Sequence, residues 1–357
     1  MLRAAFLLLL AFVGTAAAQE PRIVLSTELP ASDGAPQRYS QRRALSVGRD
    51  GTLLAAMERG AVVADAAGQI RTRFAFPSPE RRLAFVCVVA IDQDDLAAVF
   101  QQPDDSPTPG LSLFHHGADG KLLGETLIPP PPEWIGPNGK PAGAIYNVEQ
   151  CSATADRALL LAGSYGTVRN AGWWFGKINL AGSVIFQTNN PVLAERVAAA
   201  ATRPDGGIDA LVQVRAADLG GQFQWYLHRY AESGRRERAR IDIPRGYAAS
   251  MMGSGGIIAA DELGLFLVDE NGRLLRQSSW PFHRTGVLVG AGASLWATGS
   301  FGDHEPDWLV RINERGTLYH YRTRLNIAAV AGAPADQLAA LLVSDDGKTV
   351  RLVRFDR

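Results

Sequence analysis

Residues 307–325 read DWLVRINERGTLYHYRTRL, and residues 172–190 read GWWFGKINLAGSVIFQTNN. Each has a Trp, an alternating apolar run, Asn, two variable residues, Gly, and a second alternating run. Alternation with period two on both sides argues for two strands. Gly at the end of an Asp/Asn-x-x-Gly turn supplies the positive φ that reverses the chain at little steric cost. Asp or Asn at its start can bond the backbone of the turn.

A like turn recurs at 65–68, 117–120, 179–182, 231–234, 269–272 and 313–316, headed by Gly117 and Ala231 in two of them, with glycines 52, 62, 52, 38 and 44 residues apart. An apolar strand precedes each turn (AVVAD, LSLFHHG, LFLVD) and a more polar one follows, usually ending at a proline such as Pro77, Pro129, Pro191, Pro244 or Pro281. Another strand pair, as in ALSVGRDGTLLAAME, completes a unit of four antiparallel strands, a to d. Repeats of this size and content are blades of a β-propeller. The spacing predicts an all-β, seven-bladed propeller with blades at 44–77, 84–129, 146–191, 196–244, 247–281, 286–324 and 327–357. The last unit stops at strand c, and PRIVLSTELP (21–30) ends in Leu-Pro as strands d do, so the N-terminal strand is read as completing the last blade and closing the ring. A β-sandwich predicts no such regular turn, and β-helix repeats are much shorter. Ala-rich LAERVAAAATRPDGG (193–207) could pass for a helix, but its place in the repeat makes it strand a of the fourth blade.

The unit Trp-(Leu/Trp)-x-x-(Lys/Arg)-Ile-Asn-x-x-Gly with its following strand resembles the repeat of bacterial exported propellers, over nearly the whole chain after residue 18. That resemblance implies an architecture and no single activity, because propellers host lactonases, lyases, quinoprotein dehydrogenases and binding modules alike.

Residues 1–18 pair Arg3 with a short apolar run and three alanines before Gln19, which is a secretory signal pattern with cleavage near Ala18–Gln19. The mature domain, 19–357, is therefore expected in the periplasm or outside the cell, uninserted in membrane and monomeric. Zero formal net charge and a pI near 7.0 give no global field toward nucleic acid or an anionic membrane. Cys87 and Cys151 are the only cysteines, and spacing alone leaves their pairing open.

No Gly-x-Ser-x-Gly elbow, His-Glu-x-x-His or Cys-x-x-Cys occurs, and no cofactor or metal is expected. His115-His116 falls at the c–d turn, and His115 aligns with Lys177, Arg229, Arg311 and Arg354, which argues for a structural basic position. Site candidates come from the loops at the channel mouth. The d-to-a connections carry Arg43, Arg82, Arg196, Arg245, Arg284 and Arg324, a set suited to carboxylate or phosphate. The third unit instead opens with an insertion leading to Tyr146, Asn147 and Glu149, and a long b-to-c loop holds His304. The expected function is a scaffold that binds a protein partner, an anionic small molecule or a glycan on that face. The alternative is a lyase or lactone hydrolase acting on an anionic substrate there, with Glu149, His304 or Tyr146 as acid or base.

Overall fold

The computed structural model describes residues 22–37, 43–103, 106, 110–128, 145–167, 170–190, 195–203, 205–215, 223–231, 236–241, 248–251, 257–261, 264–269, 271, 273–278, 284–300, 308–313, 318–322 and 326–356. The signal-like segment 1–18 lies outside them.

The described strands form seven four-stranded antiparallel sheets. In chain order, strands a to d of sheet 1 are Leu45–Val47, Leu53–Met57, Gly60–Ala64 and Ile70–Ala75, and those of sheet 2 are Ala84–Ala90, Leu96–Gln101, Leu111–His116 and Leu122–Ile128. Sheet 3 has Ile145–Ala153, Leu159–Thr167, Asn170–Ile178 and Val184–Asn190; sheet 4 has Glu195–Thr202, Ile208–Arg215, Phe223–Tyr230 and Arg236–Ile241. Sheet 5 runs from Ala248–Met251 to Leu274–Ser278, and sheet 6 from Arg284–Ala291 to Leu318–Arg322. Sheet 7 joins Asn326–Gly332, Leu338–Val343 and Val350–Asp356 to the N-terminal strand Arg22–Leu29. Each innermost strand touches that of the next sheet, those of sheets 3 and 4 through Gln150 and Ala200, and strand a of sheet 7 touches strand a of sheet 1. The fold is an all-β propeller.

Burial peaks on strands b and c and falls toward the outer strand d, and the sequence pattern follows it. Strand b of sheet 1 is buried throughout, whereas strand d alternates and keeps only Phe74 buried. Trp174, Phe175, Trp225, Trp296, Phe266 and Phe355 are fully buried, filling the gaps between sheets. The alanines of Glu195–Thr202 form strand a of sheet 4, so tertiary packing overrides helix propensity there.

The turn chemistry is as the sequence implies. Gly68, Gly120 and Gly182 have φ of +80°, +78° and +79°. Asp65 Oδ1 accepts from the N–H groups of Ala67 and Gln69 at 2.9 Å, and Asp269 Oδ1 accepts from Asn271 and Arg273 at 2.8 Å. These glycines also abut strand d of the preceding sheet: a Cβ on Gly182 would stand 2.1 Å from Thr126.

Cys87 and Cys151 form a disulfide, Cα atoms 6.5 Å apart, that ties strand a of sheet 2 to strand a of sheet 3. No helix among the described residues is long and apolar enough to cross a membrane.

Candidate functional site: the central channel

The innermost strands of sheets 1, 3, 4, 6 and 7 line a central cavity of about 420 Å³. Its wall is made largely of small residues, among them Ala199, Ala200, Ala201, Gly290 and Gly332. Short side chains let the strands converge on the axis and leave the volume open.

Its polar side chains mostly stitch neighbouring strands. Ser46 Oγ accepts from the Ala90 N–H at 3.0 Å. Gln150 Oε1 accepts from the Ala200 N–H at 2.8 Å while its Nε2 donates to the Ala200 carbonyl, a side-chain substitute for a missing ladder pair. Arg49 donates from its backbone to the Ile91 carbonyl at 3.1 Å and from its guanidinium to the Thr154 carbonyl.

One register step toward the loop end lies the pair Arg43 and Glu149. The strands a of sheets 2, 3, 4 and 7 each skip one residue in register, at Val86, Glu149, Ala198 and Ala328. Such bulges bend and twist a strand, and they recur where a sheet must turn toward an axis. In sheet 1 the corresponding position is larger: Pro36 bridges Met57, and the next ladder contact is Ala56 N–H to the Ala44 carbonyl. Arg43 ends that excursion. Its carbonyl accepts from the Val88 N–H at 3.0 Å, and its guanidinium donates to the Val148 carbonyl, crossing sheet 2 to reach sheet 3. Burial pulls the Arg43 pKa below its ordinary value, and the charge of Glu149 works against that pull. The guanidinium stays protonated at any physiological pH.

The expected ring of mouth arginines is thereby corrected in part. Arg43 stays in the connection, in the turn just ahead of strand a, which the chain rejoins at the Ala44 ladder contact. The connection into sheet 2 is a 3₁₀ turn, Pro79–Arg81, that ends at Arg82, exposed and left-handed at φ 55°. Its neighbour Arg81 turns outward, forming a two-pronged bond to Glu125 on strand d and lying 5.2 Å from the centre of the Phe114 ring. Tyr146 and Asn147 lie on strand a of sheet 3, Arg196 on strand a of sheet 4 and Arg284 on strand a of sheet 6. Arg245, His304 and Arg324 lie outside the described residues. The structure thus brings together Arg43 and Glu149, and adds Arg49 and Gln150, which sequence reasoning missed. Counting back from the a–b turn would have aligned ALSV with CVVA and put Arg43 beside the strand.

At the opposite end, the aligned basic residues of strands c have structural partners, as their register implied. His115 Nε2 lies 2.6 Å from Asp95, and buried Lys177 lies 2.7 Å from Asp156 and donates to the Gly206 carbonyl. Arg311 donates to Ser294 at 2.8 Å and Arg354 to the Gly51 carbonyl at 2.8 Å. Among the described residues no three His, Cys, Asp or Glu side chains meet in a metal-holding group.

No protein-family model matches the sequence, and no curated protein does either. Solved structures share the fold. A chain of the crystal structure of the mitotic checkpoint complex superposes with a TM-score of 0.53 at 12% identity, covering 95% of this chain and 96% of that one. BBS1N, solved in complex with ARL6DN, gives 0.52 at 13% identity over 94% and 98%. PorZ of Porphyromonas gingivalis, a bacterial surface component of the type-IX secretion system, gives 0.52 at 10% identity; the match spans 93% of this chain but 39% of PorZ. At these identities the likeness is one of fold alone.

Proposed function

We propose that the chain is an exported seven-bladed propeller, its last blade completed by the N-terminal strand, that binds an anionic ligand in and above the central channel without transforming it. The reading rests on one observation: two arginines of sheet 1, Arg43 and Arg49, flank the two ends of the channel segment that encloses a cavity of about 420 Å³. Glu149 is the acidic group beside Arg43, so the two guanidinium groups leave a local charge that favours an anion with carboxylate or phosphate oxygens. The cystine suits an oxidising compartment and so supports export.

Thermal-shift measurements with citrate, inorganic phosphate and an acidic oligosaccharide test the binding. A ligand that binds only the folded state raises Tm by mass action. At least one probe should raise Tm in a dose-dependent way, and Arg43→Gln combined with Arg49→Gln should abolish the rise. A flat response to all three probes, or a rise that survives both substitutions, overturns the proposal.

A further inference from the structure

A second cavity, about 200 Å³, lies under the connection that leads into sheet 1. Superposing the registers of sheets 1 and 2 explains it. In sheet 2, Phe85 pairs with Phe100, and Phe114 pairs with Ala98 on one side and Glu125 on the other. The equivalent positions of sheet 1 hold Pro36 opposite Met57, and Val62 between Ala55 and Arg73. Three aromatic rings that pack edge to face in sheet 2 are thus replaced by Pro, Met and Val. Met57 and Val62, both almost wholly buried, are in the wall of the cavity.

The polar pair above that space is inverted as well. In sheet 2 the connection supplies a cation, Arg81, to an anion on strand d, Glu125, and the guanidinium sits over the Phe114 ring. In sheet 1 the connection supplies the anion: Asp33 Oδ1 accepts from Arg73 Nε at 2.8 Å. The Asp33 side chain is only 10% exposed, and its Oδ2 is buried without a hydrogen-bond donor. A buried carboxylate oxygen left without a donor is unfavourable, so it is an acceptor awaiting a partner. Ser32 and Arg59 complete the polar rim.

We propose that this pocket binds a small aromatic ring carrying a neutral hydrogen-bond donor, a phenol in the simplest case. The ring takes the place that Phe114 fills in sheet 2, against Met57 and Val62. Its donor bonds Asp33 Oδ2, and Arg59 at the rim offers a cation to the ring face. The donor is neutral because Arg73 already balances the charge of Asp33. An apolar cavity of about 150 Å³ is room enough for benzene, so the volume suits one ring and little more. The ring can arrive as a free phenolic compound or as a tyrosine side chain of a peptide.

Calorimetric and ligand-observed NMR titrations of the intact protein with phenol, N-acetyl-tyrosinamide and N-acetyl-phenylalaninamide test this. Phenol and the tyrosine amide should bind, with the phenylalanine amide roughly tenfold weaker because it lacks the donor. Val62→Phe should restore the sheet 2 arrangement and abolish binding with Tm maintained; Met57→Phe serves if that variant does not fold. Tyrosine amide binding more tightly than phenol identifies a peptide source, and comparable binding a free phenolic one. The proposal fails if neither phenol nor the tyrosine amide binds at millimolar concentration, if the two amides bind equally, or if a filled variant still binds phenol.

Discussion

Sheets 2 and 3 are fastened by the cystine between their innermost strands and by Arg157, which bonds Asp92 and Asp95 across the gap. Among the described residues, sheets 7 and 1 have neither. There Arg354 donates to the carbonyls of Gly51 and Ala66, Thr27 Oγ1 donates to the Gly68 carbonyl at 2.8 Å, and Leu25 packs into a core shared by both sheets. One seam relies on a covalent link and paired charges, the other on side chains bonding backbone oxygens and on close packing at a glycine. The first should fail under reductant and respond to salt; the second should respond to single added atoms.

The largest expected effect is on the covalent seam. The cystine closes a loop of sequence separation 64, for which chain entropy gives about 4 kcal/mol of stabilisation. Replacing both Cys87 and Cys151 by Ala should lower the unfolding free energy by about that amount, read from urea midpoints. A loss below about 1 kcal/mol would show that the non-covalent contacts of this seam suffice.

At the other seam the largest effect should come from one methyl group. Gly68 holds φ +80°, and a Cβ there would stand 2.7 Å from Leu25 Cγ and 2.8 Å from Thr27 Oγ1. Gly68→Ala should cost about 3 kcal/mol, combining left-handed strain with overpacking against the N-terminal strand. Gly347→Ala is the control, with φ +70° and nothing within 4 Å of the added atom; about 1 kcal/mol is expected. Equal losses would mean that the seam yields to the methyl and that strain alone acts.

Next in size is Arg354→Met, which keeps the apolar stem and removes the donors to Gly51 and Ala66. About 1 kcal/mol is expected from the carbonyls left without their partner, and urea midpoints again measure it.

These residues also show where the sequence was readable. Gly68, Gly120 and Gly182, with Asp65 and Asn179 at the heads of their turns, announce their conformation locally, because φ and side-chain-to-backbone bonding are decided within four residues. The basic residue of five of the seven strands c was legible as a repeated position, though not its partner. Arg43 was legible as a connection residue, but its reach to the Val148 carbonyl was not, because that depends on where the chain rejoins Ala44, a register fixed by strand b and not by its own neighbours. The cystine needed the spatial neighbourhood of two strands a. The sheet 1 pocket is a deficit, with Pro36, Met57 and Val62 standing where sheet 2 has rings, and a deficit is visible only once equivalent positions have been superposed.

The smallest effect belongs to Arg157, which is exposed and whose bonds to Asp92 and Asp95 are open to solvent screening. It is best read through pH. Burial pushes the Asp95 carboxyl up, but the bonds to His115 and Arg157 outweigh it and hold the group below its usual range. A carboxyl whose pKa is lower folded than unfolded binds more protons when unfolded, so its contribution is present above about pH 4 and is lost as pH falls through the folded value. In Arg157→Ala the Asp95 pKa should move back toward normal, leaving less stability to lose on acidification. The urea midpoints of wild type and variant should therefore differ slightly at pH 5 and converge toward pH 3, with the pH 5 difference shrinking in 1 M NaCl. Curves that stay parallel across that range would assign the small difference to lost side-chain packing and leave the cystine as what distinguishes this seam from the one at Gly68.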